Sequence, residues 1–120
     1  MHELGITREL LDIALEEADK GGLVSIKVIS VVIGRLTGFV PDSIRYYFEI
    51  FSENTVAAGA DLRFDERPAG FSCRGCGLEF TIDEPVFLCP GCGGHDLTLL
   101  SGKEFYLDYI EGNEASQPYG

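Results

Sequence analysis

The chain has 120 residues, enough for one ordinary domain or two very small ones. Its 9 basic and 20 acidic side chains give a formal charge of −11, which argues against nucleic-acid binding and against docking on an anionic membrane. With 45% apolar and 24% charged residues, the composition is globular rather than disordered. Because the sequence shows neither a membrane-spanning run nor an export signal, we expect a soluble, cytoplasmic protein.

The N-terminal third predicts a helix followed by a central strand. Residues 4–18 carry apolar side chains at helical spacing, and Gly21-Gly22 ends the helix because glycine tolerates the left-handed cap conformation. Residues 25–33 are rich in β-branched side chains and apolar on both faces, which indicates a central strand. The predicted apolar stripe of the helix consists of Leu4, Ile6, Leu10, Leu11, Ile13, Ala14 and Ala18.

A second helix and a second strand are predicted next. Pro41 suits the first turn of a helix, and Asp42 is favourably placed near the positive end of its dipole. Residues 60–65 alternate strictly between apolar and charged, which is typical of a strand with one face in water. The expected buried face of the helix consists of Ile44, Tyr47, Phe48 and Phe51.

The composition changes at about Pro68, where glycine and cysteine become frequent and helical periodicity ends. Strand-like segments at 78–82 and 96–100 flank the cysteines, and residues 104–110 alternate again as a strand. We expect this last strand to return to the first sheet, since the cysteine-rich segment offers it little core. The cysteine-rich segment would then be inserted between the predicted strand at residues 60–65 and the last predicted strand at residues 104–110.

All four cysteines lie in two C-x2-C pairs, Cys73 with Cys76 and Cys89 with Cys92. Each pair is followed by a glycine, which permits the tight turn that brings two thiolates to one metal. Without an export signal, paired thiols indicate metal ligands before a disulfide framework. The pattern predicts a closed tetrahedral site of four sulfurs, which favours Zn2+ or iron. Unligated or disulfide-bonded thiols are the alternative.

Zinc is the preferred ion, in a structural role, because four protein ligands leave no open position for Lewis-acid catalysis. A rubredoxin-type iron centre for electron transfer would need no accompanying helical domain. Zinc ribbons are also common in nucleic-acid machinery, but Arg74 is the one basic side chain between Phe71 and Leu100. The acidic side chains of that segment are Glu79, Asp83, Glu84 and Asp96. Such a module would repel phosphate.

The N-terminus offers a second set of metal ligands. A histidine at position 2 is ordinarily a surface or core residue. However, the Met1 α-amine, the deprotonated His2 amide and the His2 imidazole can close two fused chelate rings. Planar nitrogen donors of this kind suit Ni2+ or Cu2+.

A set of segments from residue 1 to about 111 carries a resemblance to a known family. It combines Met1-His2-Glu3-Leu4 with the two C-x2-C pairs, and the combination is more specific than either part. The other segments are Leu10-Leu11, Ala14, Val31 to Gly38, Pro41 to Ile44, Phe48, Ala57 to Leu62 and Gly102 to Phe105. Together they resemble the HypA/HybF family of nickel-insertion accessory proteins.

The resemblance implies roles for individual residues. His2 matches the family's nickel ligand, with the Met1 amine beside it, and Glu3 matches a position that supports the site. The four cysteines match the zinc ligands. His95 matches a position where some members have a histidine that reaches nickel, with a plain loop residue as the alternative. Asp42 matches an acidic position near the nickel site, with helix capping as the alternative.

The resemblance also implies the function: a nickel metallochaperone, not an enzyme, that delivers Ni2+ during maturation of nickel–iron hydrogenase. Its implied partners are HypB, a nucleotide-hydrolysing maturation protein, and the hydrogenase large subunit. We expect a monomer or a weak homodimer. The alternative, from a different class, is a zinc-ribbon adaptor protein without metal delivery.

The sequence therefore predicts an α+β fold, with two helices packed on a small three-stranded sheet and an inserted zinc-ribbon module. Residues 1–67 and 103–112 are assigned to the nickel-binding α/β domain, and residues 68–102 to the zinc ribbon. Residues 113–120 are assigned to a flexible tail.

Overall fold

The computed structural model describes residues 2–115, with side chains from Glu3 onward, and contains two helices and six strands in that range. The elements are α1 (His2–Lys20), β1 (Leu23–Gly34), a 3-10 turn (Arg35–Thr37), α2 (Pro41–Phe51), β2 (Asp61–Arg67), β3 (Ala69–Cys73), β4 (Glu79–Ile82), β5 (Leu97–Ser101) and β6 (Phe105–Glu114). No helix in the described range is long and apolar enough to cross a membrane.

The strands form two three-stranded sheets, in the orders β2-β1-β6 and β4-β3-β5. The last strand lies beside β1, as predicted, and the predicted α+β fold with two helices is confirmed. Strand β1 is central in its sheet, and every residue from Val28 to Gly34 is buried. Its apolar sequence on both faces is therefore explained by burial on both faces.

Helix α1 buries a line of side chains that differs from the predicted stripe. Leu4 and Ile13 were expected to face the core, but they are 49% and 46% exposed. The first turns of the buried line are polar instead, with Glu3 and Thr7 both buried. The prediction weighed hydrophobicity alone, whereas these two polar groups are buried with hydrogen-bond partners. The apolar part of the buried line consists of Leu10, Leu11, Ala14 and Ala18.

Helix α2 begins as predicted at Pro41 and packs against α1. Ile44 and Phe48 are buried, while the predicted core residues Tyr47 and Phe51 are half-buried and stack with ring centroids 6.3 Å apart. The Arg8 guanidinium of α1 lies 5.7 Å from the centroid of the Phe51 ring. A cation over an aromatic face is favourable, so this contact stabilises the packing of α1 on α2 at the half-buried ring.

Strand β3 is the element that the sequence analysis missed. It pairs antiparallel with both β4 and β5, and Phe71 lies opposite Phe80 on one side and Leu99 on the other. Its five residues include Gly70 and follow β2 after a single residue. The segment is therefore too short to show the alternation of apolar and polar side chains that distinguishes a strand from a loop. Pairing with strands distant in sequence decides its conformation. The Phe71, Phe80 and Phe87 rings then form the small aromatic core beside it.

The chain divides into two compact units. The first contains residues up to Val31, Phe39–Asp65 and the residues from Tyr106 onward. The second contains Val32–Gly38 and Glu66–Phe105, and therefore holds all four cysteines.

Several segments lie outside the parts of the molecule to which the sequence assigned them. Residues 32–38, 66–67 and 103–105, assigned to the nickel-binding α/β domain, belong to the second unit, where the Gly34 amide donates to the Glu104 carbonyl at 2.7 Å. The Leu36 amide donates to the Gly102 carbonyl at 2.7 Å, in the same unit. Strand β6 continues to Glu114, so residues 113 and 114 of the expected tail are in a strand. Ala115 follows the strand without regular structure, and residues 116–120 lie outside the described residues.

Candidate metal centres

The two C-x2-C segments fold into matching turns. The Gly77 amide donates to the Cys73 carbonyl and the Gly93 amide donates to the Cys89 carbonyl, each at 2.8 Å. Both glycines have left-handed backbone angles, with φ of 78° and 74°. A residue with a Cβ rarely adopts that backbone conformation, so the glycine after each cysteine pair allows the turn to close.

These turns bring the four cysteine sulfurs into one cluster. All four Sγ atoms lie within 4.8 Å of one another, with Cys73 to Cys92 and Cys76 to Cys89 both at 3.6 Å. A tetrahedral site with Zn–S bonds of about 2.3 Å separates its sulfurs by about 3.8 Å. The thiols form no disulfide, and the geometry and donor chemistry therefore fit a four-sulfur metal site.

Backbone amides and neighbouring thiols polarise the sulfurs unequally. The Gly91 amide donates to the Cys89 sulfur and the Gly94 amide to the Cys92 sulfur, both at 3.4 Å. Backbone N–H groups, that of Cys92 first, lower the pKa of Cys89 to about 7. At Cys76 a backbone hydrogen bond from Leu78 acts in the same direction, but the adjacent thiols, chiefly Cys89, and burial raise the pKa to about 11. The lower pKa means that the Cys89 thiol ionises more readily than the Cys76 thiol.

The Arg74 side chain makes its polar contacts within the cysteine-containing unit. Its Nε donates to the Thr98 hydroxyl at 2.9 Å and lies 3.9 Å from the Asp96 carboxylate. The one basic side chain that the sequence offers between Phe71 and Leu100 thus lies beside a carboxylate. The cluster has no basic patch of its own to attract phosphate.

The N-terminal candidate is described only from Glu3 onward. Met1 and the His2 side chain lie outside the described residues, although the main chain of α1 begins at His2. Glu3 is 8% exposed, and its carboxylate accepts a hydrogen bond from the Val40 amide at 3.1 Å. This bond is the first cause of the lowered pKa of Glu3. The Thr7 hydroxyl in turn donates to the Glu3 carbonyl.

Val40 and Thr7 are the residues around this site that the sequence analysis missed. Val40 carries no chemical signal because it takes part through its backbone amide. Thr7 could have been noticed as a hydroxyl one turn after Glu3, at a position from which it can bond the preceding carbonyl. The bond from Val40 to Glu3 ties the first turn of α1 to the residue before α2, and the bond from Thr7 to Glu3 lies within α1.

His95 and Asp42 lie at exposed positions, each in a different unit. His95 follows the second cysteine turn, and Asp42 pairs with Arg45 at 3.1 Å in the first turn of α2. In the described range, the four cysteines are the one group of at least three His, Cys, Asp or Glu side chains placed to hold a metal.

Comparison with known proteins identifies relatives over nearly the full length. A family model described as hydrogenase/urease nickel incorporation, metallochaperone, HypA matches residues 1–112. The hydrogenase maturation factor HypA of Caldanaerobacter subterraneus subsp. tengcongensis is 45% identical over 112 residues, covering 92% of this chain and 98% of that protein. The factor of the same name from Dehalococcoides mccartyi is 40% identical over 117 residues, covering 98% of both chains.

Solved structures share the fold. The solution structure of the nickel metallochaperone HypA from Helicobacter pylori superposes with a TM-score of 0.66 at 22% identity, covering 94% of this chain and 98% of that one. The metallochaperone family is not a family of enzymes. From the match over residues 1–112 and the relatives at 45% and 40% identity, we conclude that this chain belongs to the HypA family of hydrogenase and urease nickel-incorporation metallochaperones.

Proposed function

We propose that this protein binds Ni2+ at its N-terminus and delivers it during maturation of nickel–iron hydrogenase. The observation that carries the proposal is the match to a nickel-incorporation family over residues 1–112, which includes the Met1-His2-Glu3 start. The donors are the Met1 α-amine, the His2 amide nitrogen and the His2 imidazole. Nitrogen donors in a plane suit Ni2+ and discriminate against ions that prefer oxygen ligands.

Glu3 supports this site by holding the helix start in place. Its buried carboxylate binds the Val40 amide, so the residue that follows the chelate is anchored to the segment before α2. Metal binding at a chain end that must first become ordered is weakened by the conformational entropy that is lost. The bond from Val40 to Glu3 reduces this loss because it already holds the residue next to the chelate. His95 and Asp42 are secondary candidates for a further nickel ligand.

The second part of the proposal is that Cys73, Cys76, Cys89 and Cys92 hold Zn2+ as a structural site. Their sulfurs lie close enough to share one ion, and the unit around them has a small aromatic core. A bound zinc ion supplies folding free energy to a unit of this size. Four sulfur ligands leave no open position for substrate, so the zinc site has no part in carrying nickel.

A carrier must hand its ion to other proteins. The proposed partners are a HypB-type nucleotide-hydrolysing maturation protein and the hydrogenase large subunit, with a cytoplasmic location that suits a maturation factor. We also propose that the protein is a monomer or a weak homodimer. A zinc-ribbon adaptor that binds partners without carrying metal is the alternative, and nickel binding by the isolated protein separates the two.

The decisive experiment is nickel calorimetry on untagged protein that starts at Met1, with the His2→Ala variant and a variant with one Gly added before Met1. We expect about one Ni2+ to bind the untagged protein and specific binding to be lost in both variants. Protons compete with the metal for these donors, since the ordinary pKa is about 7.7–8.0 for an α-amine and about 6.5 for an imidazole, so affinity should fall on mild acidification.

Zinc content and the circular dichroism spectrum serve as controls for folding in both variants. Nickel bound equally well by the extended protein would show that the N-terminal chelate is wrong and that side chains such as His95 or Asp42 carry the site. No nickel bound by any form would leave the adaptor function as the better explanation.

A further inference from the structure

The second unit contains a cavity of about 160 Å³ that the proposed nickel function does not use. Its apolar wall is formed by Leu36, Ala69, Ile82, Pro85 and Phe87. An apolar cavity of about 150 Å³ is large enough to hold a benzene ring. The cavity is therefore of a size to take one large apolar side chain.

Charged side chains border this cavity. Arg35 Nη1 lies 3.2 Å from Asp83 Oδ1, and both side chains line the cavity while remaining at least half exposed. Glu84 also lines it, and its carboxylate has no ion-pair partner among the described residues. The rim thus offers an uncompensated negative charge next to an apolar space.

The loop that follows Glu84 exposes three apolar side chains in a row. Val86, Phe87 and Leu88 are 54%, 46% and 48% exposed. Phe87 is also held in place by a contact with β3, because its ring meets the Phe71 ring edge-on with 5.8 Å between the centroids. Adjacent exposed apolar side chains on an anchored loop are typical of a surface that contacts another protein.

We propose that this cavity and the loop of residues 83–88 bind a partner polypeptide through one large apolar side chain flanked by lysine or arginine. The apolar side chain enters the cavity, and the basic neighbours meet Glu84 and Asp83. Charge favours such a partner, because the chain carries a formal charge of −11. A second copy of this chain would bring like charges together at this rim, and nucleic acid would be repelled for the same reason.

The probe is a short synthetic peptide with a central phenylalanine between paired lysines, titrated at physiological salt into isotope-labelled, zinc-loaded protein. We expect saturable amide shift changes at Ile82 to Leu88. The same peptide with a central alanine, or with glutamates in place of the lysines, should give no saturable change. Shift changes confined to other parts of the chain, or equal binding of the alanine peptide, would overturn the proposal.

Matched variants test the charge and the apolar contact separately. Glu84→Lys should weaken binding of the lysine peptide by about fivefold or more, since an exposed ion pair is replaced by a repulsion. Glu79→Lys makes the same charge change on β4 at a residue that does not line the cavity, and it should leave affinity nearly unchanged.

Val86→Ser removes an exposed apolar contact without touching the aromatic core and should also weaken binding. Equal losses for Glu84→Lys and Glu79→Lys would show a nonspecific charge effect and overturn the proposal. Shift changes at the loop that depend on protein concentration without peptide would overturn it in favour of a second copy.

Discussion

At the scale of single residues, Glu3 connects the fold to the proposed nickel site. The Val40 amide that donates to its carboxylate lowers its pKa below the ordinary 4.5. A group whose pKa is lowered by folding stabilises the fold in its ionised form. That contribution is complete above about the ordinary pKa and is lost as the pH falls through the lowered value.

The wild type and the Glu3→Gln variant should therefore differ in how much stability they lose in acid. Glutamine keeps an oxygen that accepts from the Val40 amide but cannot titrate, so the variant should lose less stability on acidification. Urea unfolding at a pH of about 7 and again near 3.5 measures the difference. An identical loss in both proteins would mean that Glu3 does not contribute to the acid sensitivity.

Replacing Glu3 by alanine should weaken nickel binding while zinc binding stays intact. The change removes the anchor between the start of α1 and Val40, and loss of such a supporting contact costs about 10–100-fold in metal affinity. Calorimetry with Ni2+ measures the effect. Glu9→Ala, which removes an exposed carboxylate from the same helix, is the control and should bind like the wild type.

At the scale of elements, the end of β1 lies extremely close to the segment before β6. A Cβ built on Gly34 would overlap the Gly102 carbonyl group, and Gly102 itself has a left-handed φ of 120°. Two hydrogen bonds from Gly34 and Leu36 to this segment hold the approach. Glycine is needed at Gly34 because the neighbouring atoms are backbone and cannot rotate away.

Gly34→Ala should lower the free energy of unfolding by about 2–3 kcal/mol or more, since overpacking against rigid backbone forces it to shift. Gly5→Ala in α1 is the matched control, because its new Cβ would have no atom within 4 Å. That change should stabilise the protein by about 0.5–1 kcal/mol through the helix preference of alanine. Denaturant unfolding checks both, and a neutral Gly34→Ala would contradict the close approach.

At the scale of the whole molecule, the two units should differ in how much they depend on metal. The first is held by a core from α1, α2 and β1, whereas the second has its four cysteines, a cluster of three aromatic rings and a few buried apolar side chains. For a small unit of the second kind, the free energy of metal binding is largely its free energy of folding. Helical content should therefore survive loss of the metal.

Cys73→Ala or Cys92→Ala should remove hydrogen-exchange protection from about Phe71 to Leu100 and spare the helices. Each variant takes one ligand from the proposed zinc site, so the ordered turns lose the bond that closes them. Hydrogen exchange followed by mass spectrometry measures this segment by segment. Loss of protection spread evenly over residues 4–66 would contradict the independence of the two units.

The limits of sequence reasoning are visible in particular residues. The C-x2-C turns and the helix starting at Pro41 were predictable, because each depends on residues a few positions apart. Strand β3 was not, since its conformation depends on partners in β4 and β5. The exposure of Leu4 and Ile13 was missed because helical spacing gives an apolar face but not which edge of it a neighbour covers.

The sequence by itself determined the two helices, the central strand β1 and the four-cysteine cluster, since these follow from local spacing and residue type, and its resemblance from residue 1 to about 111 indicated the family. Only the tertiary structure revealed the bond between Glu3 and the Val40 amide. It alone also revealed the contact of Gly34 with Gly102 and the cavity beside Phe87. These features join backbone or side-chain groups that are tens of residues apart, and no local pattern records which distant groups the packing of a core will bring together.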